Sequence, residues 1–175
     1  MPKTSREQID KDEKKILALL QQNSNESIDR IAKHCGFSRQ KVWRTIKSLE
    51  KNGFIWGYTA IIDDEKNDQK HYMMLIKKTL KPLDKKIIDS LTSIQIEDFV
   101  SSPEVTIESS CFVHGNVDWI ISFTAPNLRQ AIKFSNMFNS AFAGIIQKIE
   151  LVETLFFVRK HHIFNPNMKK LREFL

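Results

Sequence analysis

Glycine and cysteine are scarce in this sequence, which has five glycines and two cysteines among 175 residues. Neither a GxGxxG nor a GxxxxGK(S/T) pattern occurs, which excludes the phosphate-binding loops that those patterns build. Cys35 and Cys111 lie far apart and no CxxC pair accompanies them. The sequence therefore predicts neither a disulfide framework nor a zinc site. We expect both cysteines to be buried as small hydrophobic side chains.

Long hydrophobic runs are also missing. Uninterrupted apolar stretches such as "ILALL" and "WIISF" have five residues, far fewer than the roughly 20 that a membrane-spanning helix needs. The amino-terminal stretch "MPKTSREQIDKDEKK" is polar and lacks the apolar core of a signal peptide. We therefore expect a cytoplasmic protein with no membrane partner.

Residue patterns typical of catalytic and metal sites are not found either. The five histidines do not cluster at ligand spacing, and the adjacent His161 and His162 would point to opposite faces of a strand. No nucleophile and base are arranged for covalent catalysis. The sequence predicts a protein that is not an enzyme and that needs no metal or cofactor.

Positive charge is concentrated in one segment. From Arg30 to Lys51 there are seven basic residues and one acidic residue, Glu50, so the excess of +6 in this segment equals the net charge of the whole chain. A run of charge is usually a solvated helix face, but a basic helix can also dock into a groove of DNA. The surrounding pattern favours the second interpretation.

Two predicted helices precede the most basic stretch. Residues 10–22 form the first, in which Ile16, Leu17 and Leu20 share an apolar face. Ser27 can cap a short second helix over residues 28–35. Gly36 follows and allows a tight turn.

A third predicted helix follows this turn. Ser38 caps it, it runs to about Asn52, and Gly53 ends it. After it, residues 54–63 ("FIWGYTAIID") are rich in β-branched and aromatic side chains and are typical of a small hairpin or wing. A helix, a short helix, a glycine turn, a basic helix and a hairpin, in this order, predict a winged helix-turn-helix.

The second half of the chain alternates differently. The predicted order is strand, helix, strand, strand, helix and strand, over residues 71–80, 82–93, 104–113, 118–125, 127–142 and 146–158. Asn127 caps the second of these helices, and its apolar stripe is Leu128, Ala131, Ile132, Phe138 and Phe142. This order predicts a ferredoxin-like βαββαβ domain, an antiparallel four-stranded sheet with both helices on one face.

The predicted fold class is therefore α+β, a winged helix-turn-helix joined to a ferredoxin-like domain. The predicted DNA-binding domain spans residues 1–62. The polar segment 63–70 is a linker, and residues 71–160 form the second domain. Residues 161–175 are an extension for which the pattern assigns no packing.

The residues just described resemble the Lrp/AsnC family of transcription regulators over most of the chain, from Asp10 to about Val158. "DEKKILALLQQNSNESIDRIAKHCGFS" is similar to the first two helices of the family. "VWRTIKSLEKNGFIWGYTAIID" resembles its recognition helix and following hairpin, and "HGNVDWIISF" resembles a turn of its regulatory (RAM) domain. The resemblance implies a nucleoid-associated regulator that binds double-stranded DNA and responds to an amino-acid effector. It also implies a homodimer that can assemble into octamers.

The candidate DNA-binding residues lie at the start and on the polar side of the third helix. Val42, Ile46 and Leu49 face the core, and Trp43 is predicted to pack in the core or between helices. We expect Arg39 and Gln40 to read bases, since their side chains can pair with guanine and adenine. Lys41, Arg44 and Lys47 are expected to hold phosphates. The complete candidate set is Ser38, Arg39, Gln40, Lys41, Arg44 and Lys47.

One recognition helix covers only a few base pairs, which favours a homodimer that reads two half-sites. The predicted sheet offers a dimer surface, because helices cover one of its faces and the other face needs a partner.

The turn "HGNVD" is the candidate effector site. It comprises His114, Gly115, Asn116, Val117 and Asp118. Backbone N–H groups at a glycine turn can hold a carboxylate, and Asp118 can pair with an α-amino group. The alternative is a plain hairpin turn in which Asp118 bonds to the backbone.

Two other functions remain open at this point. Sirohaem decarboxylases share a similar two-domain architecture, and His114 is the one residue indicative of a tetrapyrrole pocket. The basic third helix argues against that enzyme. A non-specific architectural DNA-binding protein is the other alternative.

Overall fold

The computed structural model describes residues 6–80, 85, 88–89 and 104–175, with side chains from Lys11 onward. The chain divides into two compact units. The first comprises the residues up to Ile61 together with Val158–Lys170, and the second comprises Ile62–Phe157 together with Leu171–Leu175. In the described part of the chain, no helix has the length and apolar character needed to cross a membrane.

Three helices form most of the first unit, as predicted: α1 (Arg6–Gln22), α2 (Ile28–Cys35) and α3 (Arg39–Lys51). The two serines predicted as caps both act as caps. Ser27 Oγ accepts a hydrogen bond from the backbone N–H of Arg30, and Ser38 Oγ accepts one from that of Lys41. Each bond satisfies an N–H that the first helical turn leaves without a partner.

The turn between α2 and α3 depends on Gly36. Its φ of 70° lies in the left-handed region, where a side chain would be strained. The turn lets the helices share one core, formed by Ile16, Leu20, Ile31, Ala32 and Val42. The predicted inward positions are therefore confirmed except for Leu17, since Leu19 packs against this core instead.

The hairpin predicted for residues 54–63 is wrong. No strand is assigned in this segment. The backbone N–H groups of Phe54 and Ile55 both donate to the carbonyl of Leu49, at 2.9 and 3.2 Å. These donors close the end of α3, so the start of the segment terminates a helix and does not pair as a strand.

The second unit contains a four-stranded antiparallel sheet built from β1 (Lys70–Lys78), β2 (Thr106–Phe112), β3 (Trp119–Ala125) and β4 (Ile146–Glu153). The spatial order is β2-β3-β1-β4, which confirms the ferredoxin-like prediction. In the centre, Met74 of β1 lies opposite Ile121 on one side and Leu151 on the other. Most of the predicted helix 82–93 lies outside the described residues. Within this range, residues 85, 88 and 89 are described and are helical.

Helix α4 (Leu128–Ala141) covers one face of the sheet. Asn127 caps it, as predicted, by accepting a hydrogen bond from the N–H of Gln130. The core beneath it is aromatic: the ring of Trp119 lies 5.1 Å from that of Phe138 and 5.5 Å from that of Phe142. Such edge-to-face pairs add to the stabilisation from burial alone.

The predicted stripe of α4 needs correction. Leu128 and Ile132 are exposed, whereas Phe134, which was not predicted, is buried. The buried series Ala131, Phe134 and Phe138 follows helical spacing. Ile132 is turned about 100° from Ala131 and so leaves the core. Leu128 lies in the first turn, before the helix reaches the core.

The end of the chain contains structure that the sequence pattern left unassigned. β4 ends at Glu153, five residues earlier than predicted. A two-stranded hairpin follows, with β5 (Arg159–Lys160) and β6 (Ile163–Phe164), and then a 3-10 helix over Met168–Phe174.

The two cysteines are both free thiols. The burial predicted for Cys111 is wrong, because it lies exposed on β2, in one of the outer strands of the sheet. Cys35 is partly buried, and this burial raises the pKa of its thiol.

We expect Phe138→Ala to lower the free energy of unfolding by about 3–5 kcal/mol, because it leaves a cavity among buried rings. Met137→Ala, at the neighbouring exposed position, is the matched control and should cost about 0.5 kcal/mol or less. Urea unfolding followed by tryptophan fluorescence measures both. Equal losses for the two variants would contradict the packing described for α4.

Candidate nucleic-acid interface

Helix α3 separates apolar from basic residues. Val42 is fully buried, and Leu49 is 2% exposed. All of the predicted DNA-binding residues are exposed, namely Ser38, Arg39, Gln40, Lys41, Arg44 and Lys47. The helix therefore presents one polar, mainly cationic face to solvent while its other face holds it in the core.

Arg39 lies at the start of α3, where its side chain meets α2. Its Nε is 3.4 Å from Oδ1 of Asp29, and the two side chains are 72% and 65% exposed. A surface pair of this kind contributes little to stability. The guanidinium can therefore exchange Asp29 for a phosphate or a base edge at low cost.

Lys41 has a more demanding partner. Its Nζ lies 2.5 Å from Oδ2 of Asp12, whose side chain is only 6% exposed, and 4.1 Å from the centre of the Phe37 ring. A nearly buried carboxylate needs such a partner, because desolvation disfavours its charge. Lys41 thus joins α3 to α1 in addition to any contact with DNA. Sequence reasoning missed this role, since 29 residues separate the two partners.

Lys47 and Tyr58 meet at one carboxylate on α3. Lys47 Nζ lies 2.7 Å from Oε2 of Glu50, and the Tyr58 hydroxyl donates to Oε1 at 3.1 Å. The hydrogen bond from Lys47 lowers the pKa of Glu50, and the bond from Tyr58 adds to the shift. Burial, followed by the contact with Glu50, raises the pKa of Tyr58. Glu50 thereby ties the segment after α3 to the helix.

Trp43 does not lie in the core, so the first of its two predicted placements is wrong. It is 50% exposed. Trp43 follows the buried Val42 directly, and one residue turns a helix by about 100°. Its ring therefore points away from the apolar stripe, toward the side that carries the polar residues Gln40 and Arg44.

The candidate effector turn joins β2 to β3, and most of it is exposed. Oδ2 of Asp118 accepts a hydrogen bond from the backbone N–H of Lys78 at 2.9 Å and lies 3.3 Å from Nζ of Lys77. The N–H of Lys78, followed by the ammonium of Lys77, lowers the pKa of Asp118. Asp118 therefore bonds to the backbone, as in the plain-turn alternative, and also brings a lysine to the turn.

A separate concavity of about 630 Å³ lies along the exposed side of α4. Six residues of the helix line it, and none belongs to either predicted site: Arg129, Ile132, Lys133, Asn136, Met137 and Ser140.

The residues that include the basic helix are similar to known DNA-binding proteins. A family described as winged helix-turn-helix DNA-binding matches residues 9–55. The DNA-binding transcriptional activator DecR of Escherichia coli K12 is 36% identical over 58 residues. The match covers 33% of this chain and 38% of DecR, so it spans well under half of that relative.

Two solved structures resemble the whole fold. An AsnC family transcriptional regulator from Agrobacterium tumefaciens has a TM-score of 0.66 at 19% identity, over 93% of this chain and 97% of its own. A feast or famine regulatory protein from M. tuberculosis, complexed with L-methionine, has a TM-score of 0.66 at 17% identity, over 90% and 99%.

Residues 9–55 are therefore similar to a winged helix-turn-helix DNA-binding domain, and α3 is the third helix of this stretch. The fold of the chain is similar to that of an AsnC family transcriptional regulator and of a feast or famine regulatory protein, which confirms the predicted resemblance at the level of the fold.

We expect the Asp12–Lys41 pair to show coupling in a double-mutant cycle. Asp12→Asn and Lys41→Gln should each lower the free energy of unfolding by about 1–2 kcal/mol, because each removes one charge of the pair. The double variant should lose about 1 kcal/mol less than the sum of the two. Thermal unfolding followed by helical circular dichroism measures the four proteins.

The exposed pair Asp63 and Lys66, whose charged atoms lie 4.0 Å apart, provides the control cycle. There the coupling should be about 0.3 kcal/mol or less. Strictly additive losses at Asp12 and Lys41 would show that their contact does not stabilise the fold.

Proposed function

We propose that the protein is a sequence-specific transcription regulator of the Lrp/AsnC type that binds double-stranded DNA. The observation that carries the proposal is the face of α3: five long polar side chains exposed on a capped helix, behind a turn of helix-turn-helix geometry. A recognition helix enters the major groove with its N-terminal residues at the base edges. Here those residues are Arg39 and Gln40.

The roles within the helix follow from chemistry and position. Arg39 and Gln40 read bases, since a guanidinium can donate two hydrogen bonds to guanine, and a carboxamide can donate one to adenine and accept one from it. Arg44 and Lys47 lie one and two turns further on and hold phosphates. Lys41 also holds a phosphate, in competition with Asp12. Ser38 caps the helix and so fixes where these side chains begin.

A homodimer supplies the second half-site. The sheet supports this proposal, because α4 packs on the side of Tyr72, Met74 and Ile76. By strand alternation, the opposite face carries Met73 and Leu75, for which an apolar partner is needed. The segment after α3 also exposes Phe54, Trp56 and Tyr58 at 70, 97 and 52%. Apolar surface of this kind marks protein contacts, and octamers built from dimers extend the same argument.

An amino acid is the proposed effector, bound at the turn 114–118. Its carboxylate would meet the backbone N–H groups of the turn and the ammonium of Lys77, while Asp118 meets the α-amino group. The lysine lies 3.3 Å from Asp118, so both charges that such a ligand needs are already adjacent. The solved complex of a structurally similar regulator with L-methionine supports this ligand class.

The same proposal makes the protein a cytoplasmic, nucleoid-associated regulator and not an enzyme. The similar proteins with known descriptions are regulators. The sirohaem-decarboxylase alternative requires basic and histidine residues around a tetrapyrrole, whereas His114 is an exposed turn residue. An architectural role without sequence preference is separated from regulation by the following experiment.

We expect selection from random duplex pools to enrich a palindrome. The contacts of α3 should make log K fall against log salt with a slope of roughly −5 if a dimer neutralises about six phosphates through them. Gln40→Ala should change the preferred bases at one position of each half-site. Arg44→Gln should weaken binding to every sequence and reduce the slope by about 1 for each protomer. Sequencing of selected pools and fluorescence anisotropy measure these effects.

Lys66→Gln, in the second unit and on an exposed side chain, is the control and should leave both unchanged. Binding without enrichment would favour the architectural alternative. Absence of binding at moderate salt would refute the proposal and favour the enzyme.

We expect a mixture of amino acids to shift the DNA affinity of the wild type and to raise its Tm, because a ligand that binds only the folded state stabilises it. Asp118→Asn should abolish both responses, since the carboxylate that meets the α-amino group is lost. Asn116→Ala, an exposed turn substitution that keeps Asp118, should retain them. If Asp118→Asn responds as the wild type does, the turn is a plain hairpin connection.

A further inference from the structure

The hairpin near the end of the chain, which we term the basic hairpin (Val158–Lys170), has the composition of a DNA-contacting element. It contains Arg159, Lys160, Lys169 and Lys170, two histidines and no acidic residue. We propose that the basic hairpin binds DNA phosphates alongside α3. This inference rests on the proposed function. The basic hairpin lies outside residues 9–55, which match the helix-turn-helix family.

Charge follows the division of the chain. The first unit, which includes the basic hairpin, has 16 basic and 7 acidic residues, whereas the second has 11 and 14. The protein's positive excess therefore lies entirely in the unit that carries α3. The last part of the chain contributes four of those 16 cations, although more than 90 residues separate it in sequence from the rest of that unit. A phosphate backbone is the partner that such an excess attracts.

The hairpin holds its first cation in a defined place. Arg159 pairs with Phe164 across the two strands, and its guanidinium lies 3.8 Å above the ring centre of that residue. A guanidinium stacked on a ring keeps the N–H groups at its edge available for hydrogen bonds. The stacking also restricts the side chain before any ligand arrives, which reduces the entropy lost on binding. Arg159 itself is exposed.

The backbone after the strands is equally ordered. The N–H of Asn165 donates to the carbonyl of Val158 at 3.1 Å and closes the hairpin. The N–H of Asn167 donates to Oδ1 of Asn165 at 2.8 Å, forming a turn around Pro166. The exposed Lys169 follows at the start of the 3-10 helix. Cations on a fixed backbone bind a periodic phosphate array better than cations on a floppy tail.

The first unit is about as wide as one turn of duplex is long, so the basic hairpin can contact the same duplex as α3. A compact unit of this size has a radius of gyration of roughly 11 Å and so spans about 30 Å. One turn of duplex, which separates successive half-sites, is about 34–36 Å long. Phosphates flanking the bases that α3 reads therefore pass along most of one side of the first unit. The basic hairpin extends the footprint beyond the recognition helix and adds affinity without adding sequence information.

The test compares two doubly substituted full-length proteins that lose equal charge. Arg159→Gln with Lys169→Gln alters the basic hairpin, and Lys66→Gln with Lys133→Gln alters exposed lysines of the second unit. Anisotropy with a labelled 30-base-pair duplex gives the affinity between roughly 50 and 300 mM salt, over which log K falls linearly with log salt. The hairpin variant should bind about tenfold or more weakly near 0.1 M salt, and its slope should be shallower by about 2 per protomer. The control should match the wild type.

Two further variants guard against a folding defect. Lys169→Gln alone leaves the strands intact and should reduce the slope by about 1 per protomer, and Arg159→Lys should keep the wild-type slope because it keeps the charge. Bases selected from random pools should not change in any of these proteins. A hairpin variant with the wild-type slope would overturn this inference while leaving the proposed function standing. Failure of the wild type to bind DNA would overturn both.

Discussion

The burial of Val42 and Leu49 is the constraint on which the first unit depends. The exposed cations of α3 bury no apolar surface when the protein folds. The apolar side of the helix must therefore supply the stabilisation. Ser38 and Gly36 then decide where the helix begins and at what angle the chain enters it. Because one side of α3 is fixed in the core, the side chains on the other side have fixed positions relative to one another, which reading a base sequence requires.

The four-stranded sheet of the second unit has two faces of different character. One face of its sheet receives α4 through a cluster of aromatic rings, in which Trp119 and Phe138 are completely buried. The other face carries Met73, Leu75 and Ile120, which are partly buried, beside polar side chains such as Ser122 and Glu150. The difference between the two faces supports the proposed homodimer, and the turn that contains Asp118 joins β2 to β3 at one end of the sheet.

Prediction from the sequence succeeded where a signal is local. The capping serines, the turn at Gly36 and the periodicity of each strand all involve residues within a few positions of one another, so the helices and the sheet topology could be predicted. Ile132 and Trp43 were misplaced because one residue changes a helix face by about 100°, and apolar character alone does not say which face is buried. Residues 54–63 have strand propensity, but the N–H groups of Phe54 and Ile55 donate to the carbonyl of Leu49 and so are not available to a strand partner.

The contacts of the candidate site were less predictable than its composition. The sequence contained every cation of α3, but the carboxylates that meet them come from other parts of the chain. Asp12 belongs to α1 and Asp29 to α2, and only Glu50 belongs to α3 itself. No spacing rule links these partners to Lys41 and Arg39, because tertiary packing alone brings them together.

These internal carboxylates have a consequence for selectivity. Three of the four candidate cations on α3, namely Arg39, Lys41 and Lys47, already have an intramolecular counterion. A duplex must displace Asp12, Asp29 and Glu50 before it gains those contacts, and a carboxylate left beside a phosphate repels it. Poorly matched sequences, which engage only some of the cations, therefore meet a repulsion that a well-matched site removes. Under the proposed function, these acidic residues, above all the nearly buried Asp12, would oppose binding to poorly matched sequences.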